Sequence, residues 1–398
     1  MRICCFLTSR SRRFQKKFQC RGIIYVICEK KTFHLEKFTF ENGITLPVQV
    51  GYETYGKLNK EKSNVIVVCH YFSATSHAAG KYTEEDELPG WWDGLIGPGK
   101  AIDTDQYFVI CTDNLCNVQV KNPYVITTGP KSMNPTTGSP YAMDFPVFTF
   151  LDVARLQYEL VREMGITRLH AVIGPSAGGM IAQQWAVHYP HMVERMIGVI
   201  TNPQNPIVTS FNVLQNAIEA IQLDPKWDGG NYGEEQPTKG LHLAGKMMFV
   251  NAFDAHYYET TFPRKRAEVA PYVDVSTLTS FEQNINELTL NNIAFVDANS
   301  WLYTAKATLL HDISHGFSSL EEALSQMEAS VLMIPCKQDL LQPSRYNYEM
   351  VELLKKKGKC AEVYEIESIK GHMAGVLDVH LFEKKVYEFL KGKVSSRV

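Results

Sequence analysis

The chain has 398 residues, 45% hydrophobic and 21% charged, with a formal net charge of −3. That is enough to bury a large core, as one α/β domain or as a domain carrying an insertion. The balanced charge gives no electrostatic reason to expect nucleic acid or an anionic membrane as a partner, and no apolar run reaches the length of a bilayer span. Nine cysteines form no C-x-x-C pair, which points to a reducing compartment, so the cytoplasm is the expected location. With no H-E-x-x-H, Walker loop or G-x-G-x-x-G, neither a metal nor a bound cofactor is expected.

The chain opens on Arg2, Arg10, Arg12, Arg13, Lys16, Lys17 and Arg21 before any acidic residue. Residues 1–30 therefore read as a basic leader outside the fold, either a transit segment or an upstream extension. From Phe33, the alternation Phe38-Thr39-Phe40 and the stretch Leu46 to Tyr52 predict two antiparallel strands. Val65–Cys69, Tyr107–Cys111, Leu169–Ile173 and Met196–Ile200 are short continuous apolar runs, as expected of strands buried on both faces. Helical patterns lie between several of them, notably Leu151 to Met164. Strands alternating with helices predict a mostly parallel central sheet with right-handed crossovers.

Gly174-Pro175-Ser176-Ala177-Gly178 follows the third of these runs and precedes the helical pattern Met180 to Ala186. G-x-S-x-G at a strand-to-helix junction is the context of a nucleophile elbow. The tight turn lifts the Ser176 hydroxyl clear of the sheet, and the flanking glycines keep strand and helix from colliding. The amide of Ala177 then points where an oxyanion would form. The second oxyanion donor is expected in His70-Tyr71-Phe72-Ser73, after the strand ending at Cys69, with the amide of Phe72 as candidate.

After Thr201 the strand rhythm stops. Residues 205–320 are helix-rich and read as a lid inserted into a core formed by 31–204 and 321–398. Strands resume at Val331–Cys336 and Val363–Ile366. The chain order Ser…Asp…His of the nucleophile-elbow enzymes directs attention to Asp339 after the first of these strands and His372 after the second. His372 would take the proton of Ser176, and Asp339 would hold the imidazole in the right tautomer. His170, within a strand run, and His311 and His315, one helical turn apart, read as packing or surface residues. Cys116, in a loop, is the cysteine to watch, although no Cys–His pattern recommends it.

These residues resemble a known family, the homoserine O-acetyltransferases of the α/β-hydrolase fold. The resemblance runs from about residue 33 to 390. It is most specific in Gly90-Trp91-Trp92-Asp93-Gly94-Leu95-Ile96-Gly97-Pro98-Gly99-Lys100-Ala101-Ile102-Asp103-Thr104. Asn134 to Gly138, Asp144-Phe145-Pro146 and Asp297-Ala298-Asn299-Ser300 are similar too. It implies an α/β-hydrolase fold with a helical lid insertion and a ping-pong transfer. An acetyl group would pass from acetyl-CoA, as co-substrate, to the hydroxyl of homoserine or a related small acceptor through an acyl-serine. The residues implied are the triad Ser176, Asp339 and His372 with the amides of Phe72 and Ala177, in a homodimer built through the insertion. The chain departs from the family at three places. The elbow carries Pro175 and Ala177 where the family usually has glycine and methionine. Met373 stands where an aspartate usually receives the substrate's ammonium. Lys246 is the nearest cation where an arginine usually grips the carboxylate, and is the candidate for that contact. Two other readings use the same residues: an esterase or thioesterase in which water resolves the acyl-serine, and a non-catalytic binding relative, against which the intact Ser–Asp–His order argues.

Overall fold

The computed structural model describes residues 27–263 and 274–392. Residues 1–26 of the basic leader lie outside the described residues, as does the stretch 264–273 of the insertion; residues 27–30, expected outside the fold, join it, with Ile27 bridging Lys81, Cys28 buried and Lys30 paired with Glu53.

Eight strands form one sheet. They are β1 (Lys31–Thr39), β2 (Thr45–Tyr55), β3 (Val65–Val68), β4 (Phe108–Thr112), β5 (Ala171–Pro175), β6 (Arg195–Val199), β7 (Ser330–Ile334) and β8 (Ala361–Val363). Their order across the sheet is β1-β2-β4-β3-β5-β6-β7-β8. The pairs β1–β2 and β2–β4 are antiparallel and all later neighbours are parallel. Successive side chains of a strand point to opposite faces. Val65, Val67 and Cys69 accordingly join one buried cluster, and Ile66 and Val68 join another. Helices α1 (Phe150–Glu163) and α2 (Ala177–His188) contribute to the first cluster. A capping box starts α1, Thr149 and Asp152 satisfying each other's backbone amides.

Several strands sit off their expected positions; β2 runs on to Tyr55 and β7 stops at Ile334, short of Cys336. β5 begins two residues late because the amide of Leu169 bonds the Met192 carbonyl, outside the main ladder. The pairing then runs on through Gly174 and Pro175, opposite Gly198 and Val199. β8 ends at Val363, and Ile366 meets the chain only as a lone bridge to Cys336.

Between β6 and β7 the chain is helical. A wide-wound turn at Ser210–Gln215 runs into α3 (Asn216–Gln222), followed by α4 (Thr238–Ala252), α5 (Ala255–Thr261), α6 (Ser280–Asn292) and α7 (Ala298–Leu309). These helices have apolar clusters of their own, one around Leu214, Leu241 and Trp301, another around Phe249, Phe253 and Leu288. α8 (Leu320–Gln326) returns to the sheet, with Ala323 and Leu324 in the first cluster. α9 (Arg345–Lys356) packs there too, and α10 (Glu383–Leu390) covers the opposite face. Because α7 stops at Leu309, His311 and His315 do not share a helical face. His311 is buried with Nε2 3.2 Å from the Asn202 carbonyl, and burial pushes its pKa down to about 4, whereas His315 is exposed.

Candidate active site

Ser176 sits between β5 and α2 with φ 54° and ψ −123°, a conformation that costs energy for a residue with a side chain. The steric environment explains why its neighbours are glycines. A Cβ on Gly178 would lie 2.0 Å from the Cys69 carbonyl oxygen, and one on Gly174 would lie 2.4 Å from the Gly178 backbone. The elbow is thus pressed against the end of β3.

The acid and the histidine come from the ends of β7 and β8. His372 Nε2 lies 2.8 Å from Ser176 Oγ, and Nδ1 lies 2.7 Å from Asp339 Oδ2. Asp339 is fully buried at its side chain, and its Oδ1 accepts from the amides of Leu341 (2.8 Å) and Gln342 (2.9 Å). An ionised carboxylate can only accept, so it places the imidazole hydrogen on Nδ1 and leaves Nε2 free to receive the Ser176 proton. The two loops hold each other. Gln338 Oε1 accepts from the Ser368 amide at 2.9 Å, and a Cβ on Gly371 (φ 54°) would come within 3.0 Å of the Gln338 carbonyl. The indole of Trp92 donates to the Gly375 carbonyl at 3.0 Å, tying the Gly90–Thr104 stretch to the histidine loop.

Phe72 lies on the loop after β3, where its ring packs edge-on to Trp301 of α7 at 5.4 Å. Ala177 is the first residue of α2. The loop that carries Phe72 starts at Cys69 and His70, whose backbone lies against Gly178 of the elbow. Lys246 is not joined to these groups. Its ammonium donates to Asn286 Oδ1 on α6 at 3.0 Å. Met373, next to His372, packs on the insertion cluster that contains Phe249, Phe253, Tyr257 and Leu341. Cys116 is fully buried at φ 52°, and burial pushes its thiol well above the usual range, so it is a core residue and not a reactive loop thiol. His170 lies just before β5, stacked on Tyr107 at 4.9 Å with Nε2 2.9 Å from the Leu390 carbonyl, a packing role.

A buried charged network lies beside the loop that carries Phe72. Lys30 is 3.0 Å from Glu53 and 3.2 Å from Asp113, and also donates to Ser76. His77 Nδ1 (2.9 Å) and the hydroxyls of Tyr55 (2.9 Å) and Tyr82 (2.7 Å) also reach Glu53. Burial alone would raise the Glu53 pKa. The His77 hydrogen bond, the Lys30 charge and the Tyr82 hydroxyl outweigh it and hold Glu53 down to about 2. Cys28, Glu53 and His77 offer ligand atoms within 4.8 Å of one another. That place already has its cation in Lys30, and burial pushes the Cys28 thiol up to about 12. The network spans residues 28 to 113 and has no short-range signature in the sequence.

Comparison with known proteins agrees with the fold. A family model described as the alpha/beta hydrolase fold matches residues 64–367. A homoserine O-acetyltransferase from Deferribacter desulfuricans is 39% identical over 369 residues, 91% of this chain and 95% of that one. The chain belongs to the homoserine O-acetyltransferase family. This is a family of O-acyltransferase enzymes. The crystal structure of homoserine O-acetyltransferase from Bacillus anthracis is 78% identical with a TM-score of 0.92, covering 94% of this chain and 100% of that one. An esterase, E22, is 40% identical with a TM-score of 0.88, covering 92% of this chain and 100% of its own.

Proposed function

We propose that this enzyme moves an acetyl group from acetyl-CoA to the hydroxyl of homoserine or a related small acceptor, through an acetyl ester on Ser176. What carries this reading is the hydrogen-bonded line from Asp339 through His372 to Ser176, at 2.7 and 2.8 Å, on a strained elbow. His372 Nε2 takes the Ser176 proton as Oγ attacks the thioester carbonyl, and the resulting oxyanion rests against the amides of Phe72 and Ala177. The carbon–sulfur bond breaks, and the departing thiolate receives the proton from His372. The acceptor hydroxyl then gives its proton to His372 and attacks the acetyl-serine. Collapse of the second tetrahedral intermediate frees the acetyl ester and returns the proton to Ser176. No bound cofactor or metal enters this cycle.

Lys246 is the proposed partner of the acceptor's carboxylate. Its support is its place on α4, whose last residue, Ala252, abuts Gly371 in the histidine loop, and the two ammonium hydrogens left after its bond to Asn286. A homodimer through the insertion is supported by Ile207, Val208, Phe211 and Leu223, which are 64–81% exposed, apolar surface of the kind that marks an interface. Light scattering of wild type and Phe211→Asp tests it: a dimer that becomes a monomer is expected. The cytoplasm fits cysteines that, among the described residues, are all thiols and not disulfides. No described helix is long and apolar enough to cross a membrane.

A second reading, hydrolysis of an ester or thioester, is favoured by Met373, which sets an apolar side chain beside His372, and by the likeness to esterase E22. One experiment separates the two. Purified protein is incubated with acetyl-CoA with and without homoserine, and free CoA, acetate and O-acetylhomoserine are measured. Transfer predicts CoA release that rises with homoserine and matches the acetyl ester formed. Acetate release that ignores the acceptor establishes the hydrolase.

A further inference from the structure

The amide of Phe72 serves as an oxyanion donor only if the peptide joining Tyr71 to Phe72 faces the right way. In a trans peptide the C=O and N–H point in opposite directions, so whatever holds the Tyr71 carbonyl aims the Phe72 N–H. It is held by the Ala74 amide at 3.0 Å and the His70 Nδ1 at 2.7 Å.

The tautomer of His70 follows from its other nitrogen. Nε2 lies 3.1 Å from the backbone nitrogen of Asn114, which can only donate, and 3.2 Å from the Asn117 side-chain amide. Nε2 is therefore the acceptor, and the hydrogen of the neutral ring is on Nδ1, donating to Tyr71. The ring is 1% exposed, and burial holds its pKa below the usual histidine value. Asn117 also donates to the Ala74 carbonyl at 3.0 Å, closing the loop around the ring. The backbone of Cys69 and His70 meanwhile presses on Gly178 of α2. Turning the Tyr71–Phe72 peptide over would break both bonds to the Tyr71 oxygen and aim that oxygen at the developing negative charge.

We propose that His70 is a positioning residue for the reaction: its Nδ1–H locks the Tyr71–Phe72 peptide with the Phe72 amide facing the Ser176 oxyanion. This rests on Phe72 being the second oxyanion donor.

Two substitutions separate positioning from simple anchoring. Asparagine can place its amide near the Nδ1 position and keep the bond to Tyr71. Glutamine reaches toward the Nε2 position, keeping the bond from Asn114 and losing the one to Tyr71. Each variant is assayed with p-nitrophenyl acetate for kcat and KM, and for affinity toward a trifluoromethyl ketone, which captures Ser176 as an oxyanion-bearing adduct. His70→Gln should lose about 10²-fold in kcat, the scale of one oxyanion donor, with KM within about twofold and ketone affinity falling in step. His70→Asn should keep kcat within about tenfold of wild type, even with a lower Tm. Wild-type kcat in His70→Gln, or equal losses in both folded variants, would overturn the proposal. If His70→Asn does not fold, His70→Gln alone decides. Ser176→Ala run alongside tells the two failures apart. Turnover surviving there overturns the acyl-serine reading and this proposal with it. Turnover lost there but intact in His70→Gln overturns the proposal alone.

Discussion

Asp339→Asn is the substitution whose outcome the structure constrains most tightly. Oδ1 of Asp339 accepts from two backbone amides, Leu341 and Gln342, while Oδ2 faces His372 Nδ1. An asparagine is the same size, but only its oxygen can sit between two N–H donors. The opposite flip would forfeit both bonds and set donor against donor in a fully buried place, at about 1–3 kcal/mol for each unsatisfied group. The NH2 is therefore forced toward Nδ1 and makes that nitrogen the acceptor. The ring hydrogen moves to Nε2, 2.8 Å from Ser176 Oγ, and the base can no longer take the serine proton. A wrong tautomer in an otherwise intact triad costs about 10⁴-fold in kcat, or about 5 kcal/mol of barrier. Both backbone bonds survive, so the Tm should fall by only a few degrees. Stopped-flow release of p-nitrophenolate from p-nitrophenyl acetate reads acylation of Ser176 directly, with a thermal melt on the same samples. Acylation within tenfold of wild type in the folded variant would refute the assignment of Asp339 as the group that sets the His372 tautomer.

Gly178→Ala puts a methyl 2.0 Å from the Cys69 carbonyl oxygen. Strand and helix must separate, so the variant should unfold earlier in urea, by about 1–3 kcal/mol, with acylation lost; wild-type stability would show that the approach is not tight. Glu53 has a folded-state pKa of about 2 against an ordinary 4.5. It binds its proton less readily folded than unfolded, so its contribution is complete above pH 4.5 and is lost as the pH falls toward 2. The contribution is on the order of 3 kcal/mol, so the stability gap between wild type and Glu53→Gln should narrow between pH 5 and pH 3; a gap that ignores pH contradicts the charged state of Glu53. Met373→Asp offers a carboxylate to the ammonium of homoserine. With one charged hydrogen bond at about 1.5–3 kcal/mol, kcat/KM for homoserine should rise more than tenfold relative to an acceptor without an amine, and a sub-millimolar KM already in the wild type would contradict it.

What the sequence made legible is what short-range sterics and chain order determine. Val65–Cys69 reads as a buried strand because a strand covered on both faces must be continuously apolar, and the strand runs over Val65–Val68; the apolar run Val331–Cys336 likewise overlaps the strand Ser330–Ile334. The elbow read true because only glycines fit at 174 and 178 once Ser176 takes φ 54°. Asp339 and His372 followed from their places at the ends of late strands, and the structure brings both to Ser176. Leu169 misled because an apolar residue bonded to Met192 looks the same, in sequence, as one in the sheet. The burial of Cys116 was not legible because an irregular segment leaves no periodicity, and part of its surroundings comes from far along the chain, the Thr304 hydroxyl donating to its carbonyl.

The features that escaped share one property: each depends on partners far along the chain. The hydrogen on His70 is placed by Asn114 and Asn117, 44 and 47 residues downstream, and Glu53 is held down by residues from 30 to 82. The surroundings of Met373 come from α4, α5, α6 and the acid loop together. The Asp339–His372–Ser176 line rests on strand ends whose positions the sheet dictates, whereas the surroundings of Met373 are mostly insertion helices that no strand register constrains. Under the proposed function, substitution at 373 would alter the acceptor and leave the Asp339–His372–Ser176 line in place. On the proposed acyl-serine mechanism, acyl transfer and ester hydrolysis would differ in this scaffold only by which nucleophile reaches the acetyl group on Ser176.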